Sequence, residues 1–282
     1  MFFLCLYLAS LGASIGLFET VVANWRESRR MPRSRGAFLV AALCFVVAVG
    51  MLAASSLLPQ AAAGTIEGKF YLLVTSSVVL HGGTLLLVAA FLRAHAVGWC
   101  DGFGIQRRTL ARAVGFALAG VILALPVAGG LQWLASRGLA GLQRELVAHE
   151  ITAVDVQPQT QQLVQTLKQT ETLEQRIFFA LVAIVFAPLV EEVGFRGILY
   201  AAIKQRGYPR LALWGTSLVF GLIHGNLATI VPLTFLGLAF VFLYERTGNL
   251  LAPILAHSLF NAANYFALVF QRELQQLLKL SP

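Results

Sequence analysis

Phe186-Ala-Pro188-Leu-Val-Glu191-Glu192-Val-Gly194-Phe-Arg196-Gly197 lies inside an apolar run, about 177–203, that is long enough to cross a membrane. Two carboxylates and a guanidinium interrupt that run within six residues. One charge at the centre of a spanning helix costs roughly 2.5–3.5 kcal/mol on insertion scales. A chain that places three such groups together in a span uses them. Reading the stretch as a span makes the fold a helical membrane protein, and every other segment follows from it.

Composition agrees. Only 12% of the 282 residues are charged and 58% are hydrophobic, against about 25% charged in soluble domains. At about 20 apolar residues per crossing, the sequence reads as an all-α polytopic bundle of about eight spans. Their limits are about 2–23, 37–58, 70–92, 113–135, 177–203, 211–226, 228–244 and 250–270. The sixth and seventh are short, and only Gly225-Asn226 separates them. The expected organisation is a single membrane domain, 1–282. Four N-terminal spans fill 1–135, an extracytoplasmic connection covers 136–176, and the motif-bearing core covers 177–270. The first span lacks a basic leader, and its apolar run exceeds the about 7–15 residues of a signal peptide. It is expected to be a retained anchor.

The formal charge of +8 does not point to nucleic acid, because the basic residues cluster between spans. Arg26, Arg29, Arg30, Arg33 and Arg35 follow span 1. Arg93, Arg107, Arg108 and Arg112 follow span 3, and Lys204, Arg206 and Arg210 follow span 5. The 136–176 connection carries Glu145, Glu150, Asp155, Glu171 and Glu174 beside its few basic residues. Positive loops face the cytoplasm. The expectation is therefore an integral protein of the plasma (inner) membrane, with arginine-rich loops inside and both termini outside. Within the connection, Leu163-Val-Gln-Thr-Leu167 reads either as an amphipathic surface helix or as a solvated loop. Cys5, Cys44 and Cys100 are odd in number and show no Cys-x-x-Cys spacing, so neither a disulfide framework nor a structural zinc site is expected.

Helix geometry separates the two glutamates. Glu192 and Arg196 are four apart and share a face, so they can pair. Glu191 is rotated by about 100° from that face. Desolvation disfavours the charged form, which makes an unpaired carboxylate a stronger base towards water. Pro188 removes a backbone donor just upstream, and Gly194 and Gly197 permit close helix approach. A purely structural ion pair is the competing reading for Glu192 and Arg196. Two later spans each contribute an imidazole. His224 follows Phe220 by four residues. His257 is four residues before Asn261, so that pair shares a face and offers hydrogen-bond donors to a developing oxyanion. Asn264 extends that polar face. Interhelical hydrogen bonding is the bland alternative for each, and His81 in span 3 is a lone histidine of that kind. No Gly-x-Ser-x-Gly elbow, Gly-x-Gly-Asp or His-Glu-x-x-His motif is present; His149-Glu150 is followed by Ala153 where a zinc ligand is needed.

Taken together, Glu191-Glu192-x-x-x-Arg196, Phe220-x-x-x-His224 and His257-x-x-x-Asn261 resemble the motifs of the CPBP family, which includes the CaaX-processing type II proteases and the Abi proteins. Tyr244-Glu-Arg-Thr247-Gly248-Asn249-Leu250 resembles the turn before the family's last motif, with Asn249 where many members carry serine. The resemblance covers about 177–264 and implies a metal-free, glutamic-type intramembrane endopeptidase. It implies Glu191 as general base, His224 holding the water, His257 and Asn261 as the oxyanion hole, and Glu192 with Arg196 as the supporting pair. It also implies a membrane-associated substrate protein or peptide, prenylated or C-terminally anchored, in the lipid bilayer. A zinc-dependent version would use Glu191, His224 and His257 as ligands. A non-catalytic immunity or scaffold protein and a proton pathway are the other classes these residues allow.

Overall fold

A computed structural model describes residues 66–94, 96–149 and 172–280, and every regular element among them is helical. The elements are α1 (66–94), α2 Trp99–Phe103, α3 Arg107–Ala148, α4 Leu173–Gln205, α5 Pro209–Leu222, α6 Leu227–Thr247 and α7 Leu251–Leu280. Five stretches among them are long and apolar enough to cross a membrane: Val74–Arg93, α3, α4, α6 and Leu251–Gln271. The protein is thus a polytopic helical membrane protein. The first two expected spans, the arginine loop after span 1, Cys5, Cys44 and Leu163–Leu167 lie outside the described residues.

Two expected boundaries move. Helix α3 does not stop near 135 but runs on to Ala148, so the first part of the expected connection is helical. Gly138 and Gly141 lie within the extension, and one glycine costs a helix only about 1 kcal/mol. Pairs four residues apart support the extension: the Arg137 guanidinium lies over the Trp133 ring, and the Gln132 amide donates to Ser136 Oγ. The expected sixth span shortens to the 14 residues of α5. Such a helix is about 21 Å long, less than the roughly 30 Å of a hydrocarbon core. Gly225, at φ +63°, turns the chain in the left-handed region. Asn226 Oδ1 then accepts from the Ala228 amide and caps α6.

The core is built on small residues. Ala113, Ala117, Val121, Ala124 and Ala128 recur every three or four positions on α3. They pack against Leu236, Phe240 and Leu243 of α6 and Ala252 and Ala256 of α7. Small side chains let the backbones approach, which is how helices gain contact in lipid. The crossing of α5 and α6 is closer still: a Cβ on Gly237 would sit 2.8 Å from Ser217 Cα.

One end of the bundle is tied by its turns. The Leu250 amide donates to the Phe103 carbonyl (3.1 Å). Asn249 Oδ1 caps α7 at the Leu251 amide, while its Nδ2 reaches Thr109 Oγ1 on α3 (3.0 Å). The Phe103 ring fills the space at Gly197, where a Cβ would lie 2.7 Å away. Gly194, by contrast, faces nothing within 4 Å, so only one of the two glycines serves close approach. The charged residues at this end are Arg93, Arg107, Arg108, Arg112, Lys204, Arg206, Arg210 and Arg246 against Asp101 and Glu245.

Candidate active site

The two glutamates sit on α4 in a short α-helical turn, Ala187–Glu192, between two π-helical segments, Val182–Phe186 and Val193–Tyr200. Despite the π geometry after it, Glu192 still meets Arg196. The guanidinium Nη1 donates to Glu192 Oε1 (2.8 Å), and Nη2 donates to the Gly237 carbonyl of α6 (3.0 Å). Both side chains are shut off from the surface, at 0% and 1% exposed. Three rings surround the guanidinium, with Phe220 at 4.7 Å, Phe240 at 5.2 Å and Phe195 at 5.7 Å. A buried charge pair is favoured by each remaining donor that finds a partner. Here the Gly237 carbonyl takes one donor and the ring faces flank the guanidinium, while Arg196 Nε and Glu192 Oε2 have no hydrogen-bond partner.

His257 joins this pair. Its Nδ1 donates to Glu192 Oε1 (3.0 Å), and its Nε2 lies 3.9 Å from Glu191 Oε2. Its ring stacks on Phe240 (centroids 4.9 Å apart, 24° between planes) and meets the Phe220 edge. One imidazole therefore stands between both carboxylates, although the residues are about 65 positions apart in sequence. Glu191 is the more open of the two, at 25% side-chain exposure, and its Oε2 has no hydrogen-bond partner.

His224 sits in the turn just beyond the end of α5, not within a span, because the chain leaves the helix at Ile223 before Gly225. Its Nδ1 donates to the Phe220 carbonyl (2.7 Å). A carbonyl only accepts, so this bond places the ring proton on Nδ1 and leaves Nε2 as an acceptor. The Phe220 ring contacts both His224 (5.1 Å) and His257 (5.8 Å). Asn261 is on the His257 face, but its Nδ2 donates to the Ala183 carbonyl of α4 (2.8 Å). Asn264 does not extend the site; it is exposed and bonds the Phe260 carbonyl of its own helix. His81 bonds the Ser77 carbonyl, as a structural histidine does.

The structure thus brings Glu191, Glu192, Arg196, Phe220 and His257 into one cluster, with His224 against its Phe220 side. Sequence reasoning did not identify Phe240, Phe195 or the Gly237 carbonyl as parts of it. Apolar residues in apolar spans give no such signal. Among the described residues, no group of three or more His, Cys, Asp or Glu side chains gathers closely enough to hold a metal ion. Depth follows from helix rise. His257 is six residues from the start of α7, about 9 Å from the tied end, and Glu191 Oε2, 3.9 Å from His257 Nε2, lies near the same depth.

These features define a polytopic helical membrane protein with a carboxylate–imidazole site buried in its bundle. Residues 173–263, which contain every site residue named above, match the family described as type II CAAX prenyl endopeptidase Rce1-like. Over that stretch the chain is similar to this family, in agreement with the resemblance carried by the three motifs. The chain is also 32% identical over 93 residues to a Bacillus subtilis (strain 168) protein named "Putative membrane peptidase YdiL". That alignment covers 33% of this chain and 37% of the relative, so the chain spans little more than a third of the protein it matches. No solved structure matches the chain.

Proposed function

We propose that the chain is a metal-free intramembrane endopeptidase of the glutamic type. One observation carries this reading. His257 faces both glutamates, yet only Glu192 accepts from it and from Arg196 and is fully enclosed, while the Glu191 side chain is 25% exposed and its Oε2, 3.9 Å from His257 Nε2, accepts no hydrogen bond. Glu191 is then the carboxylate available to take a proton from water. His224, with its proton held on Nδ1 by Phe220, offers Nε2 to orient that water. In its protonated form His257 donates from Nδ1 to Glu192 and from Nε2 to an oxyanion, and Asn261 has one amide N–H beyond the bond to Ala183. Glu192 and Arg196 hold His257 in place. As the water oxygen attacks the peptide carbonyl, its proton passes to Glu191 and from there to the leaving amine.

The substrate in this reading is a membrane-associated protein or peptide, lipidated or C-terminally anchored, entering from the bilayer. The excess of basic residues at the tied end supports a cytoplasmic placement of that end, which sets the site on the cytoplasmic side of the membrane. Mass spectrometry of membrane-protein termini tests the activity. Cells carrying the native chain should show new termini that vanish with Glu191→Ala at equal protein level. Identical termini in both would refute the assignment.

A further inference from the structure

We infer that Asn261 is a positioning residue: its side-chain amide replaces a backbone donor that Pro188 removes, and so fixes the Glu191 helix against the His257 helix. The inference rests on the endopeptidase reading for its consequence, but its geometry is independent of that reading. In the π-helical segment Val182–Phe186, hydrogen bonds run from residue i+5 to residue i. The Ala187 amide follows this rule and donates to the Val182 carbonyl. The next bond in the series would run from residue 188 to the Ala183 carbonyl. Residue 188 is proline and has no N–H. With the Ala187 amide committed to Val182, the backbone offers the Ala183 carbonyl no donor at either i+4 or i+5. In an apolar bundle such a carbonyl must be satisfied from elsewhere, and Asn261 Nδ2 reaches it at 2.8 Å.

The placement gives this bond its effect. Pro188 is three residues before Glu191, and Asn261 is one turn after His257. The bond therefore joins the two helices one turn along α7 from His257 and eight residues along α4 from Glu191, beside their 3.9 Å gap. It also belongs to a row. His257, Asn261 and Tyr265 recur every four residues on α7, and each bonds α4, at Glu192, at the Ala183 carbonyl and at the Arg176 carbonyl (2.6 Å). Asn261 is the middle rung, and its partner exists because of Pro188.

The test is a double-mutant cycle on the full chain in lipid nanodiscs, read without substrate. Asn261→Leu, branched at the same carbon but without a donor, is made in the native sequence and with Pro188→Ala, which restores an N–H at 188. The readouts are the thermal unfolding midpoint and the imidazole 15N signals of His257, identified by their loss in His257→Gln. In the native sequence Asn261→Leu is expected to lower the midpoint by several degrees and to shift the His257 signals. With Pro188→Ala the drop should be less than half as large and the signals should stay near their unsubstituted positions. Failure of Asn261→Leu to accumulate in the native sequence, with accumulation restored by Pro188→Ala, supports the inference equally. Equal losses in both backgrounds, or unmoved His257 signals, overturn it. The endopeptidase reading stands or falls separately, on the Glu191→Ala termini.

Discussion

Glu192 and Glu191 are neighbours in the chain and opposites in their surroundings. Glu192 is enclosed with Arg196, His257, the Gly237 carbonyl and three phenyl rings. Glu191 stands at the edge of the same cluster, with its side chain 25% exposed, and its Oε2 meets only His257 Nε2, at 3.9 Å. A rotation of one residue about the helix axis separates the two. The comparison shows how a membrane protein can hold two carboxylates at one depth. One is paired with Arg196 and orients an imidazole; the other is the one that the proposed function gives the reaction with water.

Removing the enclosed carboxylate should break the comparison most severely. Glu192→Ala leaves Arg196 buried without its counter-charge, and losing one partner of such a pair costs about 3–5 kcal/mol. The protein should fail to accumulate or should unfold at much lower temperature. Arg196→Lys should fall nearly as far. A single ammonium cannot reproduce the fork that meets Glu192 and the Gly237 carbonyl together. Gly237→Ala is next. Its new methyl would press on the Ser217 backbone at 2.8 Å and displace the carbonyl that Arg196 uses, at about 1–3 kcal/mol, read from the unfolding midpoint. Gly194→Ala, three residues from Glu191 on the open side, meets nothing within 4 Å and should change stability by less than about 1 kcal/mol.

The sequence carried the enclosed pair more clearly than its setting. Four-residue spacing was enough to join Glu192 to Arg196 and to set Glu191 apart, and the bond is present. The π segments on either side were not legible, because hydrogen bonds between i and i+5 leave no mark in a pattern of apolar residues. Pro188 was read as a missing donor, but only the structure shows that Ala183 is the carbonyl left open and that Asn261 supplies it. The contact of His257 with Glu192 joins two helices, and no local spacing encodes it. His224 falls in the expected sixth span because the apolar run reaches as far as the Gly225-Asn226 separation. The left-handed turn at Gly225 and the cap at Asn226 place it in a connection instead. The extension of α3 was hidden for the opposite reason, since its serine, arginine and glycines look like a loop by composition.

The most direct test substitutes each glutamate by its neutral isostere in purified protein. It uses a membrane substrate taken from the terminal mass spectrometry and compares unfolding midpoint with cleavage rate. Glu191→Gln should keep the native midpoint and lose cleavage. Glu192→Gln should lower the midpoint, because the buried Arg196 loses its charge partner. If Glu191→Gln retained cleavage, or lowered the midpoint as much as Glu192→Gln, the division between a working and a holding carboxylate would be wrong.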